Sequence, residues 1–380
     1  MNKKVYITAL HLQHGGVEMA ISLVSNALAK RGYDVTILSV YNLGTPIYEL
    51  SPKVKIEYLT EVKPNREEFL LAIKTKNVFK IIKEGLYSLK VLMLKRKVII
   101  KSIKQINDGI IISTRNEHSV LLSKYGNKNV LKIAQLHHDH NFNKRLLRDI
   151  KFHYKKIDYF TLLTDSLTEE IKELIKDKNT HTHCLTMENF LENTKYDIDF
   201  ENKEKVLVAV GRMDPIKGFD RLLKIWSNVV KRFPDWKLCL IGEGKQKVEL
   251  IELAEQLGIS DSVVFTGALS HDQVIEEMKK ASIYAMTSYS EGFGFVIIEA
   301  MSCGLPTVAF DVRVGPKAII NNKENGILIK DNDNQAFEKA VCELIENEKT
   351  RELYGKNSVK RANDFTEEEI MKKWISILEN

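Results

Sequence analysis

Apolar and polar positions alternate in a regular order from the start of the chain. Residues 5–10 form a short apolar run, residues 15–32 carry apolar side chains at helical spacing and end in glycine, and residues 33–40 are apolar again. A strand, a glycine-rich turn, a helix and a second strand are typical of a parallel α/β sheet. The pattern predicts two further short strands, at 109–113 and 130–136, with helices between them.

The same order returns from about residue 205 and continues to residue 311. Buried apolar runs that alternate with helical patterns predict a second parallel sheet, covered on both faces. The stretch between about 187 and 205 is polar and has no period. We therefore predict two Rossmann-like, doubly wound α/β domains, 1–188 and 189–365, that face a central cleft.

Composition fits such domains and excludes other classes. Hydrophobic residues make up 44% of the 380 residues and charged residues 28%, and the four cysteines form no Cys-x-x-Cys pair, which is typical of a reducing compartment. The first apolar run is too short for a signal peptide. The most apolar stretch, 292–310, contains Glu299 and a Gly-Leu-Pro break, so we predict no membrane span and a cytoplasmic location.

The net charge of +6 is unevenly distributed. Residues 61–105 carry about a dozen Lys and Arg against four Glu, mixed with apolar and aromatic side chains. One interpretation is a pair of solvated helices. The other is a basic amphipathic surface that docks on anionic lipid, at the inner face of the membrane. No recognised nucleic-acid-binding module is present, so we expect no nucleic-acid partner.

Two glycine-bearing stretches follow predicted strands, where parallel sheets bind ligands. Gly15 and Gly16 precede the first helix, where glycine allows close approach of a ligand and a helix N-terminus attracts phosphate, although a plain tight turn explains them equally well. They do not form the G-x-G-x-x-G fingerprint of nicotinamide enzymes. The second stretch begins at Gly211 and carries Arg212 and Lys217, a pair suited to gripping a diphosphate.

A third glycine-bearing stretch leads into a helix that carries Glu299. Its glycines free backbone N–H groups to face a sugar or a phosphate, and its two carboxylates can accept hydrogen bonds from hydroxyl pairs. Because Glu299 lies in an otherwise apolar helix, it needs a partner, either a ligand or a structural ion pair. The residues ahead of this helix and at its start are Glu291, Gly292, Phe293, Gly294 and Phe295.

Taken together, GGVE, VGRMDPIKG and EGFGFVIIEAMSCGLPTVAFD resemble the family 4 glycosyltransferases, retaining enzymes of the GT-B fold within glycosyl transferases group 1. The spacing of Glu291 and Glu299, followed by Gly-Leu-Pro at 304–306, is the most specific part. The similarity covers the C-terminal half and returns weakly in the first forty residues, whereas residues 45–130 are not diagnostic.

The resemblance implies a role for each motif residue. Arg212 and Lys217 would bind the donor diphosphate and stabilise it as a leaving group, beside Gly211. Glu299 would hold the ribose hydroxyls of the nucleotide. Glu291 would contact the donor sugar and phosphate together with the backbone of residues 292–295. The resemblance also implies an acceptor-binding first domain, a donor-binding second domain, and a final helix, 366–380, that joins the first.

Further residues are implied near the reacting groups. Gly15 and Gly16 would let donor and acceptor meet at the first turn. His137 matches a histidine near the donor sugar, and its neighbours His138 and His140 leave open which ring faces the donor.

The resemblance therefore predicts a retaining, metal-independent hexosyltransferase. It moves a sugar from a nucleotide diphosphate, with UDP expected, to a hydroxyl of a glycan, a lipid-linked acceptor or a cell-surface polymer. The nucleotide sugar is a substrate, so no cofactor is expected. A non-catalytic nucleotide-binding partner subunit and another GT-B enzyme, such as a sugar-nucleotide epimerase, remain as alternatives.

Several clusters of His, Cys and Asp residues could be mistaken for a metal site. Consecutive residues at 137–140 point in different directions after a strand, so they cannot all bind one ion. His181, His183 and Cys184 are expected to be strand or loop residues. Asp-x-Asp at 197–199 and at 331–333 falls in polar loops, where turn residues far from the cleft motifs are expected.

Overall fold

The computed structural model describes residues 3–379, which group into two compact units. The first unit runs through Leu162 and also contains Thr168–Thr186 and the chain from Ile375. The second contains Leu163–Leu167 and Met187–Trp374. The main division falls between Thr186 and Met187, two residues before the predicted one.

The first unit is built on a parallel sheet of seven strands in the order β3-β2-β1-β4-β5-β6-β7. Strands β1 and β4 are neighbours although the second and third strands come between them in the chain, so the order reverses at this pair. The strands are β1 (Lys4–Ala9), β2 (Asp34–Tyr41), β3 (Lys55–Thr60), β4 (Ile110–Ser113), β5 (Leu131–Leu136), β6 (Tyr159–Leu162) and β7 (His183–Thr186).

Parallel pairing requires long crossover connections. A loop, residues 42–54, joins β2 to β3, and helices form the other connections. The second and third of them follow one another between β3 and β4 and pack together. The helices are α1 (Gly16–Lys30), α2 (Arg66–Lys74), α3 (Val78–Gln105), α4 (Asn116–Tyr125), α5 (Lys144–His153) and α6 (Asp165–Ile175).

The second unit is built on a parallel sheet of six strands in the order β10-β9-β8-β11-β12-β13, which reverses between β8 and β11. Its strands are β8 (Val206–Val210), β9 (Lys237–Ile241), β10 (Val263–Gly267), β11 (Ile283–Met286), β12 (Thr307–Asp311) and β13 (Gly326–Lys330). Its helices are α7 (Phe219–Arg232), α8 (Lys247–Gln256), α9 (His271–Lys280), α10 (Phe295–Ser302), α11 (Pro316–Ile319), α12 (Asn334–Glu346), α13 (Glu348–Ala362) and α14 (Glu367–Leu378).

Two parallel sheets with helical crossovers confirm the predicted architecture of each half. The predicted strands at 109–113 and 130–136 correspond to β4 and β5. Trp226 and Trp236, predicted to be core residues, are buried in the second unit. Cys184 and His183 lie in β7, as expected of strand residues.

The last helix divides between the units. Residues through Trp374 group with the second unit, and only the chain from Ile375 groups with the first, whereas the expectation gave all of 366–380 to the first domain. The bridge between Leu191 and Thr366 and the ring contact of Phe365 explain why the start of α14 belongs to the second unit. None of the helices within residues 3–379 combines the length and apolar composition that a bilayer-spanning segment needs.

Candidate active site

The predicted donor-binding motifs follow the two strands of the second unit at which strand order reverses. The loop with Lys217 follows β8, and the loop with Glu291 follows β11. Ligands bind at such a switch point because the loops after the two neighbouring strands depart to opposite faces of the sheet and leave a crevice. The backbone N–H of Tyr289 donates to the carbonyl of Ile216 at 2.8 Å, which joins the two loops directly.

Glycine allows these loops to pack more closely than any other residue would. Gly218 has a φ of 64°, and a Cβ there would lie 2.1 Å from the carbonyl oxygen of Thr287. The Thr287 hydroxyl also donates to the carbonyl of Gly218 at 2.9 Å. A Cβ on Gly242, after β9, would lie 2.0 Å from the carbonyl oxygen of Gly211. The loops after β8, β9 and β11 are therefore one packed assembly.

Lys217 and Glu291 meet in this assembly. The Lys217 ammonium donates to Glu291 Oε1 at 2.5 Å, and the Ser288 hydroxyl donates to the same oxygen at 2.7 Å. Their side chains are only 23% and 11% exposed, so the pair is partly shielded from water and held in one geometry. Two ammonium N–H groups of Lys217 and the second oxygen of Glu291 have no hydrogen-bond partner among the described residues, which leaves them for a ligand.

Arg221 holds the loop before Glu291 in place. The sequence did not identify this arginine as a site residue. Its guanidinium donates to the carbonyls of Thr287 and Ser288 at 2.6 and 2.5 Å. It also lies 4.0 Å from the ring centroids of Tyr289 and Phe310. A buried guanidinium that binds two successive carbonyls fixes the backbone that leads to Glu291.

Asp331 is the ionic partner of Arg221, at 2.8 Å. The expectation that Asp331–Asp333 lies far from the site motifs is therefore wrong for Asp331, because the chain returns there at the end of β13. Asp333 does act locally, since it accepts the N–H of Ala336 at the start of α12. Asp199 likewise accepts the N–H groups of Glu201 and Asn202, as expected of a turn residue.

Glu299 lies in α10 and is 6% exposed. The His271 Nδ1 atom lies 3.7 Å from its Oε1, and no described residue donates a hydrogen bond to its carboxylate. Burial raises the pKa of this carboxyl, and the neighbouring His271 opposes the rise. A buried carboxyl without donors is unfavourable by itself, so this position fits a group that receives hydroxyl donors from a ligand.

The remaining predicted residues of the second unit differ in exposure and in their contacts. Arg212 is 75% exposed and pairs with Asp214 at 3.3 Å, so the structure does not bring its guanidinium to Glu291. Gly294 has a φ of 106° and precedes the first turn of α10. Phe293 is buried and packs edge-on against Phe295 and Phe365, which anchors the segment after Gly292.

Replacing Gly218 with alanine is expected to destabilise the second unit and to weaken nucleotide binding, because the new methyl group would collide with the Thr287 carbonyl. Gly258→Ala is the matched control: Gly258 has a similar φ of 67°, but nothing lies within 4 Å of its Cβ position. The control carries only the left-handed strain of about 1–2 kcal/mol. Thermal unfolding of the two variants should differ; equal losses would show that close packing at Gly218 is unimportant.

In the first unit, the residues at the reversal between β1 and β4 also converge. Arg115 Nη2, after β4, donates to Glu18 Oε1 at 2.9 Å, and Glu18 is 4% exposed in the first turn of α1. A Cβ on Gly15 would lie 2.1 Å from Glu18 Oε2, so a side chain at position 15 would displace this carboxylate. Gly16 begins α1. Glu18 and Arg115 are further site candidates that the motif GGVE only partly indicated.

The structure separates the three histidines after β5. His140 is buried, and its Nε2 already has a partner, Glu170 Oε1, at 3.0 Å. His138 is exposed. Both ring nitrogens of His137 are buried without a hydrogen-bond partner in the described chain. Burial, with smaller contributions from His138 and Arg115, lowers the pKa of His137 to about 3, so its ring is neutral at physiological pH.

His118 of α4 shares these properties and was not predicted. Its Nδ1 lies 2.9 Å from the Thr8 hydroxyl, and its buried Nε2 has no partner among residues 3–379. Burial also lowers its pKa to about 3. Within the same described residues, no three His, Cys, Asp or Glu side chains are grouped to hold a metal ion.

Comparison with known proteins gives a family match and several similar chains. The family model described as glycosyl transferases group 1 matches residues 192–361. An uncharacterized glycosyltransferase of Haemophilus influenzae is 32% identical over 373 residues, 96% of either chain. N-acetylgalactosamine-N,N'-diacetylbacillosaminyl-diphospho-undecaprenol 4-alpha-N-acetylgalactosaminyltransferase of Campylobacter jejuni is 24% identical over 391 residues, 99% of either chain.

Among solved structures, a mutant of S. aureus TarM in complex with Fondaparinux, alpha-GlcNAc-glycerol and UDP superposes with a TM-score of 0.77 and 16% identity, covering 100% of both chains. That likeness and the two parallel sheets establish the GT-B fold. The residues that the family model matches include the whole Lys217, Glu291 and Glu299 centre. With 32% identity to a glycosyltransferase across nearly its full length, this chain belongs to the glycosyl transferases of group 1.

Proposed function

We propose that this glycosyltransferase moves a sugar from a UDP-sugar, with retention of anomeric configuration, to a hydroxyl of a glycan, lipid-linked or cell-surface polymer acceptor. The observation that carries the proposal is the Lys217–Glu291–Ser288 centre, together with the buried carboxyl of Glu299, which receives no hydrogen bond from the described residues. The presence of UDP in the related TarM structure and the diphospho-undecaprenol acceptor named for the Campylobacter relative support the choice of donor and acceptor.

Each part of the nucleotide sugar is bound by a residue of the site in this proposal. Glu299 accepts hydrogen bonds from the ribose hydroxyls, which supplies the donors that its buried carboxyl lacks. Lys217 places positive charge on the diphosphate, and the N-terminus of α10 adds backbone N–H groups. Glu291 accepts a sugar hydroxyl on its second oxygen. Arg212, which is exposed, moves onto the diphosphate when the donor binds.

The reaction follows from these positions. The bond between the anomeric carbon and the diphosphate oxygen breaks with oxocarbenium character, and both bonding electrons leave with the diphosphate. Fixed positive charge at Lys217 stabilises that charge as it develops. The acceptor hydroxyl attacks from the same face and its proton passes to the departing phosphate oxygen. No protein nucleophile is required, and no divalent metal is assigned a role.

The first unit is the proposed acceptor domain, with Gly15, Gly16 and His137 near the reacting groups. An acceptor of the lipid-linked kind would bring the enzyme to the inner face of the membrane. Such a location agrees with the predicted anionic-membrane contact through residues 61–105.

Nucleotide release tests the proposal. Purified protein is incubated with UDP-, GDP- and ADP-sugars, with and without chelator, and the freed nucleotide is measured. Release of UDP that is unaffected by chelator is expected. Activity that chelator abolishes and manganese restores would contradict metal independence. Nucleotide binding without release from any donor, even with acceptor lipid extract added, would favour a non-catalytic partner subunit.

His137→Ala is expected to lower turnover by about tenfold, the effect of losing one hydrogen bond to the donor sugar. Because the His137 pKa is about 3, the ratio of wild-type to variant turnover should stay constant between pH 5 and pH 8. His138→Ala, at an exposed position, is the control and should change little. A ratio that changes around pH 6.5 would mean that His137 acts in its charged form.

A further inference from the structure

Large apolar side chains are exposed on one small part of the first unit. Of the 19 exposed large hydrophobic residues in the described chain, 11 lie between residues 70 and 93, in α2 and α3. The remaining eight are scattered over residues 47–353. Isolated exposed hydrophobic residues are ordinary, but a concentrated group marks an interaction surface.

The exposed residues of α3 form a continuous line, which we call the apolar stripe. It consists of positions i, i+4, i+8, i+11 and i+15 of the helix, which share one face, with Phe79 at its edge. Phe79 is 90% exposed, and the others are 53–66% exposed. The stripe residues are Val78, Ile82, Leu86, Leu89, Met93 and Phe79.

The side of α3 opposite the stripe carries the buried Val91. The C-terminal part of the helix, beyond the stripe, buries Ile99 and Ile103 in the unit. The α2–α3 pair is also held together by Asn65, which donates to the carbonyl of Glu84 at 3.0 Å and accepts from the Ser88 hydroxyl at 2.8 Å. The apolar stripe is therefore a fixed surface feature that faces away from the core of its unit.

Positive charge surrounds the stripe. Residues 61–105 contain 12 Lys and Arg and four Glu, a net charge of +8, whereas the whole chain carries +6, so the rest of the protein carries −2. Lys83, Lys90 and Lys97 are exposed and follow the stripe at seven-residue spacing. Lysine stems can cover apolar surface while their ammonium groups reach phosphate headgroups.

We propose that α2 and α3 dock on an anionic lipid bilayer, with the apolar stripe at the boundary of headgroups and acyl chains and the lysines on lipid phosphates. A second copy of the chain is a poorer occupant, because it would bring two surfaces of +8 together. The proposal goes beyond the transferase activity, since docking is measured without donor or acceptor and can fail while nucleotide release persists.

Vesicle flotation of the full chain tests both parts of the surface. Binding to vesicles of phosphatidylcholine mixed with phosphatidylglycerol is expected to exceed binding to phosphatidylcholine alone by at least about tenfold, and to weaken at high salt. Reversing the charge of Lys83, Lys90 and Lys97 to Glu should remove most of this difference. The matched control reverses three exposed lysines of the second unit, Lys231, Lys339 and Lys349, with the same change in net charge.

The apolar stripe is tested with its own matched pair of variants. Leu86→Glu should reduce vesicle binding by about tenfold or more, whereas Val248→Glu in the second unit should not, although both positions are 66% exposed. Insertion itself is measured with Leu86→Trp and Val248→Trp. The three native tryptophans are at most 4% exposed, so brominated lipid should quench only the Leu86→Trp variant.

Several outcomes would contradict docking on an anionic bilayer. Wild-type protein that does not float with anionic vesicles, or that floats equally with neutral ones, overturns the proposal. The same holds if both charge-reversed variants lose binding alike, because the effect would then be net charge rather than this surface. Wild-type dimers that Leu86→Glu converts to monomers, without vesicle binding, would assign the stripe to a second copy instead.

Discussion

Lys217→Ala is expected to lower turnover by about a hundredfold or more while the protein remains folded. Lys217 supplies the partly buried positive charge that pairs with Glu291, and removing one such donor from a developing anion typically costs about 3–4 kcal/mol of barrier. Because this charge acts mainly on the leaving diphosphate in the transition state, kcat and kcat/KM should fall together. Initial rates of nucleotide release at varied donor concentration measure both.

Lys224→Ala is the control for that experiment. Lys224 is an exposed lysine of α7 whose ammonium lies 3.8 Å from Asp220, so its loss should leave turnover nearly unchanged. Thermal unfolding of the Lys217→Ala protein separates a catalytic loss from a folding defect. A folded Lys217→Ala enzyme with near-normal turnover would exclude leaving-group stabilisation by this residue.

Glu299→Gln is expected to change stability and binding in opposite directions. Nucleotide affinity should fall by about 10- to 100-fold, because hydrogen bonds from the ribose to a charged acceptor are replaced by weaker ones. Without ligand, the variant should be more stable than wild type at neutral pH, since burial of the carboxylate opposes ionisation. Titration of UDP and thermal unfolding measure the two effects.

The pH dependence of this difference has a definite sign. The folded-state pKa of Glu299 lies above its unfolded value. The wild type therefore loses stability as pH rises through the folded pKa, and the stability gap to Glu299→Gln should close as pH falls below the unfolded pKa. Glu252→Gln, at an exposed position of α8, should show neither effect. A less stable Glu299→Gln protein that still binds UDP would assign Glu299 to a structural pair with His271.

The sequence predicted both sheets because their central strands are nearly continuous apolar runs between helical patterns. It missed β3, β6 and β13. The sequence of β3, KIEYLT, alternates and none of its residues is fully buried, as is usual for an edge strand. The predicted glycines did mark close loop contacts, since glycine is the one residue that fits where two backbones nearly touch.

Arg221 and Asp331 were not predicted to meet, for a different reason. They are separated by 110 residues and meet only because β13 ends beside α7. One signal was available: Arg221 stands four residues before Ile225 on the buried face of α7, where a charge requires a partner. Likewise, only the fold could distinguish His137 from His138 and His140, because the residues that bury the His137 ring and the Glu170 carboxylate beside His140 come from elsewhere in the chain.

The anomeric configuration of the released sugar tests the central claim most directly, that the departing diphosphate directs attack from its own face. Slow hydrolysis of the UDP-sugar by the purified enzyme requires no acceptor, and proton NMR identifies the anomer before mutarotation. We predict that the first-formed sugar keeps the configuration of the donor. An inverted product would contradict the account, because it would require attack from the opposite face and a protein base to activate the water.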